Sequence, residues 1–182
     1  DFTVQLQKAK DAGADLVFLP IYYQEASLIL QQAASMDFAP KFFGCDGLDG
    51  LISVENFDLN LAQGVMLLTP FAADAQDDMT KTFVSNFEAK YGETPIQFAA
   101  DAYDALYIIK AAAEKANITP DMSVSEIGDA MKAAMTEITV DGLTGTGMTW
   151  DAEGEPTKAP KAVVIEVTAA DDGTLTGAYK AM

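Results

Sequence analysis

The stretch from Asp15 to Gly44 constrains the fold more than any other part of the chain. DLVFL (15–19) is an aspartate followed by four apolar residues, and it runs into Pro20. From Gln24 onward Ala26, Ile29, Leu30, Ala33 and Ala34 recur at i, i+3, i+4, i+7 and i+8, and KFFG (41–44) begins directly after Pro40. The outer segments have the length and composition of buried strands, and the middle one is a helix with a single apolar stripe. Two strands separated by a helix of that length pair in parallel through a crossover, because an antiparallel pair needs only a short turn. The expectation is an α/β architecture.

The remaining segments extend that pattern. TVQLQKAKDA (3–12) fits a helix ended by Gly13, and GVMLLTPF (64–71) fits a third strand that leaves the sheet near Pro70. DDMTKTFVSNFEAKY (77–91) places Met79, Phe83, Phe87 and Tyr91 four residues apart, with acids at its start and Gly92 after its end, as a capped helix requires. Thr94, Pro95 and Gln97 read as a capping box with proline at the first helical position, predicting a helix over 95–117. Ser123 and Glu126 read as a second box opening a helix through Met135. Beyond it the pattern turns β-like, with LTGTGMTW, AVVIEV and LTGAY separated by DAEGE and ADDG turns.

Composition removes several function classes. The 182 residues carry 28 acidic and 11 basic side chains, a formal charge of −17 with no basic run, and such a surface repels phosphate backbones and anionic headgroups. Nucleic-acid binding is not expected. No apolar run approaches the roughly 18–20 residues of a membrane-spanning helix, so direct membrane insertion by this segment is not expected either. Cys45 is the single cysteine and histidine is absent, which leaves no internal disulfide, no cysteine-histidine zinc set and no Ser-His-Asp or Cys-His machinery. Gly145-Thr-Gly147 lacks the third glycine of a dinucleotide loop, there is no Gly-x-Ser-x-Gly, and DGLDG (46–50) lacks the ligand spacing of a calcium loop. The chain is therefore expected to bind no metal or cofactor and not to be an enzyme.

Two polar positions stand out against this background. In open α/β sheets, ligands sit in the crevice beyond the carboxyl ends of the strands. If DLVFL and KFFG are parallel neighbours, Tyr22 lies just past one such end and Asp46 just past the other. A phenol offers a ring face and a hydroxyl, and a carboxylate accepts charge-assisted hydrogen bonds, a combination suited to the α-ammonium end of an amino acid. The same residues also fit a plain Asp46-Gly47 turn and a tyrosine packed on a helix cap, and spacing alone leaves both readings open.

A resemblance bears on that choice. The Tyr22-Tyr23 pair after the strand, KFFGCDGL, AQGVMLLTPF, the YGETPIQFAADAYDA block (91–105) and VDGLTGTGMTWDAEGEP occur in an order that resembles the periplasmic binding proteins delivering branched-chain amino acids to ABC transporters. The resemblance covers nearly the whole chain. It implies a type I periplasmic-binding-protein-like α/β fold, with doubly wound, mainly parallel sheets in two lobes, here incomplete. Residues 1–70 and 162–182 would form part of the second lobe, and 71–161 would pack on a first lobe whose sheet is mostly absent from this sequence.

The resemblance also implies roles. Tyr22 takes the position of a tyrosine facing the amino-acid head, with Tyr23 and Gly47 as further binding positions. Asp46 takes the position of an acid, often glutamate, that pairs with the ligand ammonium, and Phe98 that of an aromatic lining the side-chain pocket. Aspartate is one methylene shorter than glutamate, which leaves the ligand open. Tyr103 and Asp104, in the middle of a helix, read as structural.

The implied function is that of the solute-binding component of an ABC importer, closing two hinged lobes around an amino acid and presenting it to the permease subunits. Its location would be the periplasmic or extracellular face of the cytoplasmic membrane, and a signal peptide with a lipidated cysteine would favour this reading. The alternative is the ligand-sensing domain of an amide or amino-acid receptor or regulator, which the lack of an export signal would favour. Helices 77–91 and 95–117 are expected to leave apolar faces uncovered in these 182 residues, and thereby to promote self-association.

Overall fold

The computed structural model describes residues 1–182, which divide into two units, residues 1–69 with 160–182 and residues 70–159. The first unit is built on α1 (Thr3–Asp11), β1 (Leu16–Leu19), α2 (Tyr23–Ser35), β2 (Lys41–Gly44) and β3 (Met66–Thr69). Three α-helices follow in the second unit: α3 (Asp78–Tyr91), α4 (Gln97–Lys115) and α5 (Val124–Met135). The chain then returns to the first unit with β4 (Lys161–Ala169) and β5 (Leu175–Ala181).

The five strands form one sheet in the order β1-β2-β3-β4-β5. β1 pairs with β2 in parallel, from Leu16 opposite Lys41 to Leu19 opposite Gly44, and β2 pairs in parallel with β3. The sheet is mixed, because β4 runs antiparallel to both β3 and β5. The reason for the β4–β5 pairing is local: Ala170 to Thr174 is too short for a crossover and closes a hairpin, with the Ala170 amide donating to the Thr174 carbonyl at 2.8 Å.

The apolar stripe of α2 explains the core. Ala26, Ile29, Leu30 and Ala33 are buried together with Leu19, Phe42, Leu67 and Ile165 from one face of the sheet. Alternate strand residues point the other way, and there Leu16 is 50% and Phe18 53% exposed, with the Phe18 ring 5.9 Å from that of Phe43. Strands that are apolar on both faces belong to sheets covered on both sides. In this unit the helices and turns of the core cover one.

In the second unit α4 packs on α5 around Ala112, Ala134 and Ile138. α3 is capped as its sequence suggests: the Asp77 carboxylate accepts the Thr80 amide hydrogen at 2.9 Å, and Gly92 adopts a left-handed φ of 77° after the last turn. Ser123 and Glu126 close the expected capping box on α5. Thr94 is not the cap residue of α4. The helix starts two residues later, at Gln97 with Ile96 as cap, while the Thr94 hydroxyl donates to the Glu88 carboxylate at 2.8 Å.

LTGTGMTW is not a strand either. It makes single bridges, Val140 with Met148 and Trp150 with Pro156, because the amides of Leu143 and Thr144 donate to the Asp104 carboxylate instead of to a neighbouring strand.

Candidate functional site

Tyr22 and Asp46 occupy matching places. Leu19 and Gly44 are paired across the sheet, so β1 and β2 end at the same level. Pro20 and Ile21 carry the chain out of β1, and Tyr22 is the extended residue that caps α2, its carbonyl accepting the Ala26 amide hydrogen at 3.0 Å. Cys45 leaves β2 in an extended conformation, and Asp46 opens the 3-10 turn Asp46–Leu48. Both side chains face solvent, Tyr22 with 63% of its surface exposed.

Gly47 brings the two loops into contact. A Cβ on it would stand 2.7 Å from the Ile21 carbonyl oxygen and 3.4 Å from the Tyr22 ring, so any side chain there would push the Asp46 turn away from the Tyr22 loop. Asp46 thus opens a turn and Tyr22 is the cap residue of α2, and Gly47 holds the two loops in contact.

The other candidate positions differ in kind. Tyr23, the first residue of α2, is half-buried against the core. Phe98, the second residue of α4, is half-buried in the second unit. An apolar groove of about 520 Å³ lies among Phe38, Pro40, Lys41, Val65 and Met66, at the amino ends of β2 and β3 and so at the opposite end of the strands from Tyr22 and Asp46.

The turn carrying Asp46 is held from β5 by residues the sequence gives no means of finding. The Tyr179 hydroxyl accepts the Gly50 amide hydrogen at 3.0 Å across 129 residues of chain, and Asp49, 3% exposed, lies beside the same phenol. Burial first, and then the Asp49 charge, push the Tyr179 phenol well above its ordinary pKa.

In the second unit Asp104 is 3% exposed and fully engaged, as a structural residue should be. It accepts hydrogen bonds from Leu143 and Thr144, and Lys158 ties the same loop to Asp101 at 2.9 Å. Tyr103, by contrast, is 39% exposed, and its phenol is raised in pKa first by the hydrogen bond with Tyr107.

Two parallel strands thus carry a phenol and a carboxylate beyond their shared carboxyl ends, on an α/β fold. Residues 1–173 match the model of the periplasmic binding protein family, and the chain belongs to that family. A curated relative, the leucine-, isoleucine-, valine-, threonine- and alanine-binding protein of Pseudomonas aeruginosa, is 29% identical over 126 residues, covering 69% of this chain and 33% of its own.

Two solved structures carry the same fold, type I of the periplasmic binding proteins. The branched-chain amino acid transporter substrate-binding protein of Streptococcus pneumoniae, in complex with isoleucine, matches at a TM-score of 0.67 and 25% identity, covering 100% of this chain and 49% of its own. An ABC-transporter solute-binding protein of R. palustris, in complex with benzoate, matches at 0.73 with 16% identity, covering 100% of this chain and 48% of its own. The chain thus spans a third of the curated relative and about half of each solved one.

Proposed function

We propose that this chain is part of the solute-binding component of an ABC importer, which takes a branched-chain or other small amino acid into the cleft between two hinged lobes and presents it to membrane permease subunits in the periplasm. The observation that carries the reading is the pairing of exposed Tyr22 and Asp46 at the level ends of β1 and β2, with Gly47 keeping them together. An ammonium group placed there meets a carboxylate for charge-assisted hydrogen bonds and a ring face for cation–π attraction. Tyr23 and Gly47 are proposed as further binding positions, and Phe98 is added on the resemblance alone.

Residues 1–70 and 162–182 are read as second-lobe structure, and 71–161 as the segment that packs on the first lobe. No bond is made or broken in this function, and the chain's lack of histidine fits a protein that only binds and releases. The relatives' amino-acid ligands support an amino acid here, and the benzoate complex is the reason to test aromatic acids alongside.

A thermal-shift panel of apolar, polar and aromatic amino acids on the full-length protein, with and without Asp46→Ala, tests this. Ligand at a thousand times its dissociation constant stabilises by about 4 kcal/mol. Stabilisation by leucine-like ligands that disappears in Asp46→Ala is the expected result. Response to aromatic acids alone would retire the amino-acid assignment.

A further inference from the structure

The turn that bears Asp46 does not stand on β2 alone. From Gly44 the chain passes against β3 and reaches β5 through a second 3-10 turn, Leu51–Ser53. Two residues of β5 receive it. They are Gly177 and Tyr179, two apart and so on one face of the strand. A Cβ on Gly177 would lie 2.8 Å from Ile52 Cγ2, so the glycine makes room for that side chain. The Tyr179 hydroxyl accepts the Gly50 amide hydrogen at 3.0 Å, and Gly50 sits at a φ of 104°, a conformation only glycine adopts without strain. The Asp49 carboxylate lies beside the same hydroxyl. Asp49 in turn donates its amide hydrogen to the Asp46 carbonyl at 2.9 Å, closing the 3-10 turn.

A single phenol oxygen therefore touches both residues that terminate the Asp46 turn. We infer that Tyr179 is a positioning residue: through Asp49 and Gly50 it holds the 46–50 turn, and with it Asp46, in place beyond the carboxyl end of β2. The inference rests on the reading of Asp46 as the receiver of a ligand ammonium group, and two measurements separate the one from the other.

The first needs no ligand. Hydrogen exchange on the full-length protein should show faster exchange in Tyr179→Phe confined to the amides of residues 46–50. Unchanged rates at those amides would overturn the inference. The second is a double-mutant cycle read in leucine affinity. Tyr179→Phe should weaken leucine by about tenfold, the effect of misaligning one charged hydrogen bond, and by less than about twofold when Asp46→Asn is already present. Equal losses in both backgrounds would mean that Tyr179 acts only through general stability, and would also overturn it. If Tyr179→Phe does not fold, Asp49→Asn weakens the same link with less change in volume and carries the same cycle. If the parent protein binds no leucine, or Asp46→Asn binds it unchanged, the ammonium reading falls, and exchange at 46–50 alone decides whether Tyr179 holds the turn.

Discussion

Asp104 and Thr144 are joined twice across 40 residues of chain, the carboxylate accepting the Thr144 amide hydrogen and the Thr144 hydroxyl hydrogen at 2.8 Å each. The other carboxylate oxygen accepts the Leu143 amide hydrogen at 2.8 Å, and the site is so close that a Cβ on Gly142 would stand 2.6 Å from the carboxyl carbon. A buried carboxylate surrounded by three donors is stable because its acceptor sites are filled, and it becomes costly once they are not. Asp104→Asn turns one oxygen into a donor facing donors. It should lower the stability of the 70–159 unit by about 2–4 kcal/mol. Urea unfolding followed through Trp150, the only tryptophan and a residue of that unit, measures it. A loss below about 0.5 kcal/mol, the scale of an ordinary surface change, would show that the clamp is not needed.

The α3 cap makes a pH-dependent prediction. Hydrogen bonds from the Thr80 amide, and then from the Thr80 side chain, hold the Asp77 carboxyl below its ordinary value of 3.8. Because the folded pKa is the lower one, the cap's contribution is fully present above 3.8 and is lost as pH falls through the folded value. Asp77→Ala should therefore cost about 1 kcal/mol at neutral pH, a typical N-cap loss, and the difference from the parent should close at low pH. Denaturant titrations of both proteins at pH values on either side of that window check it. A gap that persists once the carboxyl is protonated would assign the cost to packing.

Much of this was legible in the sequence because it rests on local chemistry. The α2 stripe, the short apolar strands, the Ser123–Glu126 box and the glycine after α3 each need only neighbours a few residues away. Thr94 reads as the cap of α4, but the helix begins at Gln97 with Ile96 as cap. Another misreading arises where a distant group competes for a local one: LTGTGMTW has β composition, but Asp104 takes the amides that a ladder would need. That Tyr22 and Asp46 lie beyond neighbouring strand ends was legible, because each comes two or three residues after a short apolar strand and the parallel register ends those strands at one level. Tyr179 was not, since nothing in LTGAYKAM indicates that its hydroxyl meets an amide 129 residues earlier.

The ammonium role of Asp46 predicts selectivity between two ligands of nearly equal shape. Leucine and 4-methylpentanoate share a side chain and a carboxylate and differ in the ammonium group. The full-length protein should bind leucine at least about thirtyfold more tightly, the equivalent of about 2 kcal/mol for one buried charge-assisted interaction. In Asp46→Ala the two ligands should come within a few-fold of each other. Isothermal titration of both ligands against both proteins gives the four affinities. If 4-methylpentanoate binds the parent as well as leucine does, Asp46 is not the ammonium partner, whatever else the turn contributes.

Apolar surface left open in each unit leads to a prediction about assembly. On the sheet, Leu16 and Phe18 expose half their surface at the β1 edge; on α4, Leu106 is 66% and Ile109 56% exposed, close to the half-exposed Tyr103 and Tyr107 rings. A strand at a sheet edge offers unpaired backbone groups as well as side chains, and a helix face of this composition is usually covered. The 182 residues alone should therefore self-associate as concentration rises. Sedimentation velocity over a hundredfold range of concentration measures this. The replacements Leu106→Glu and Ile109→Lys, on exposed positions that support no core, should shift the association toward monomer without lowering the unfolding temperature. Phe18→Lys should do the same if the sheet edge is the contact. These two sets of variants separate a helix-mediated assembly from a strand-mediated one, and a chain that stays monomeric across the whole range, with no binding of an apolar dye, would show that neither surface is adhesive.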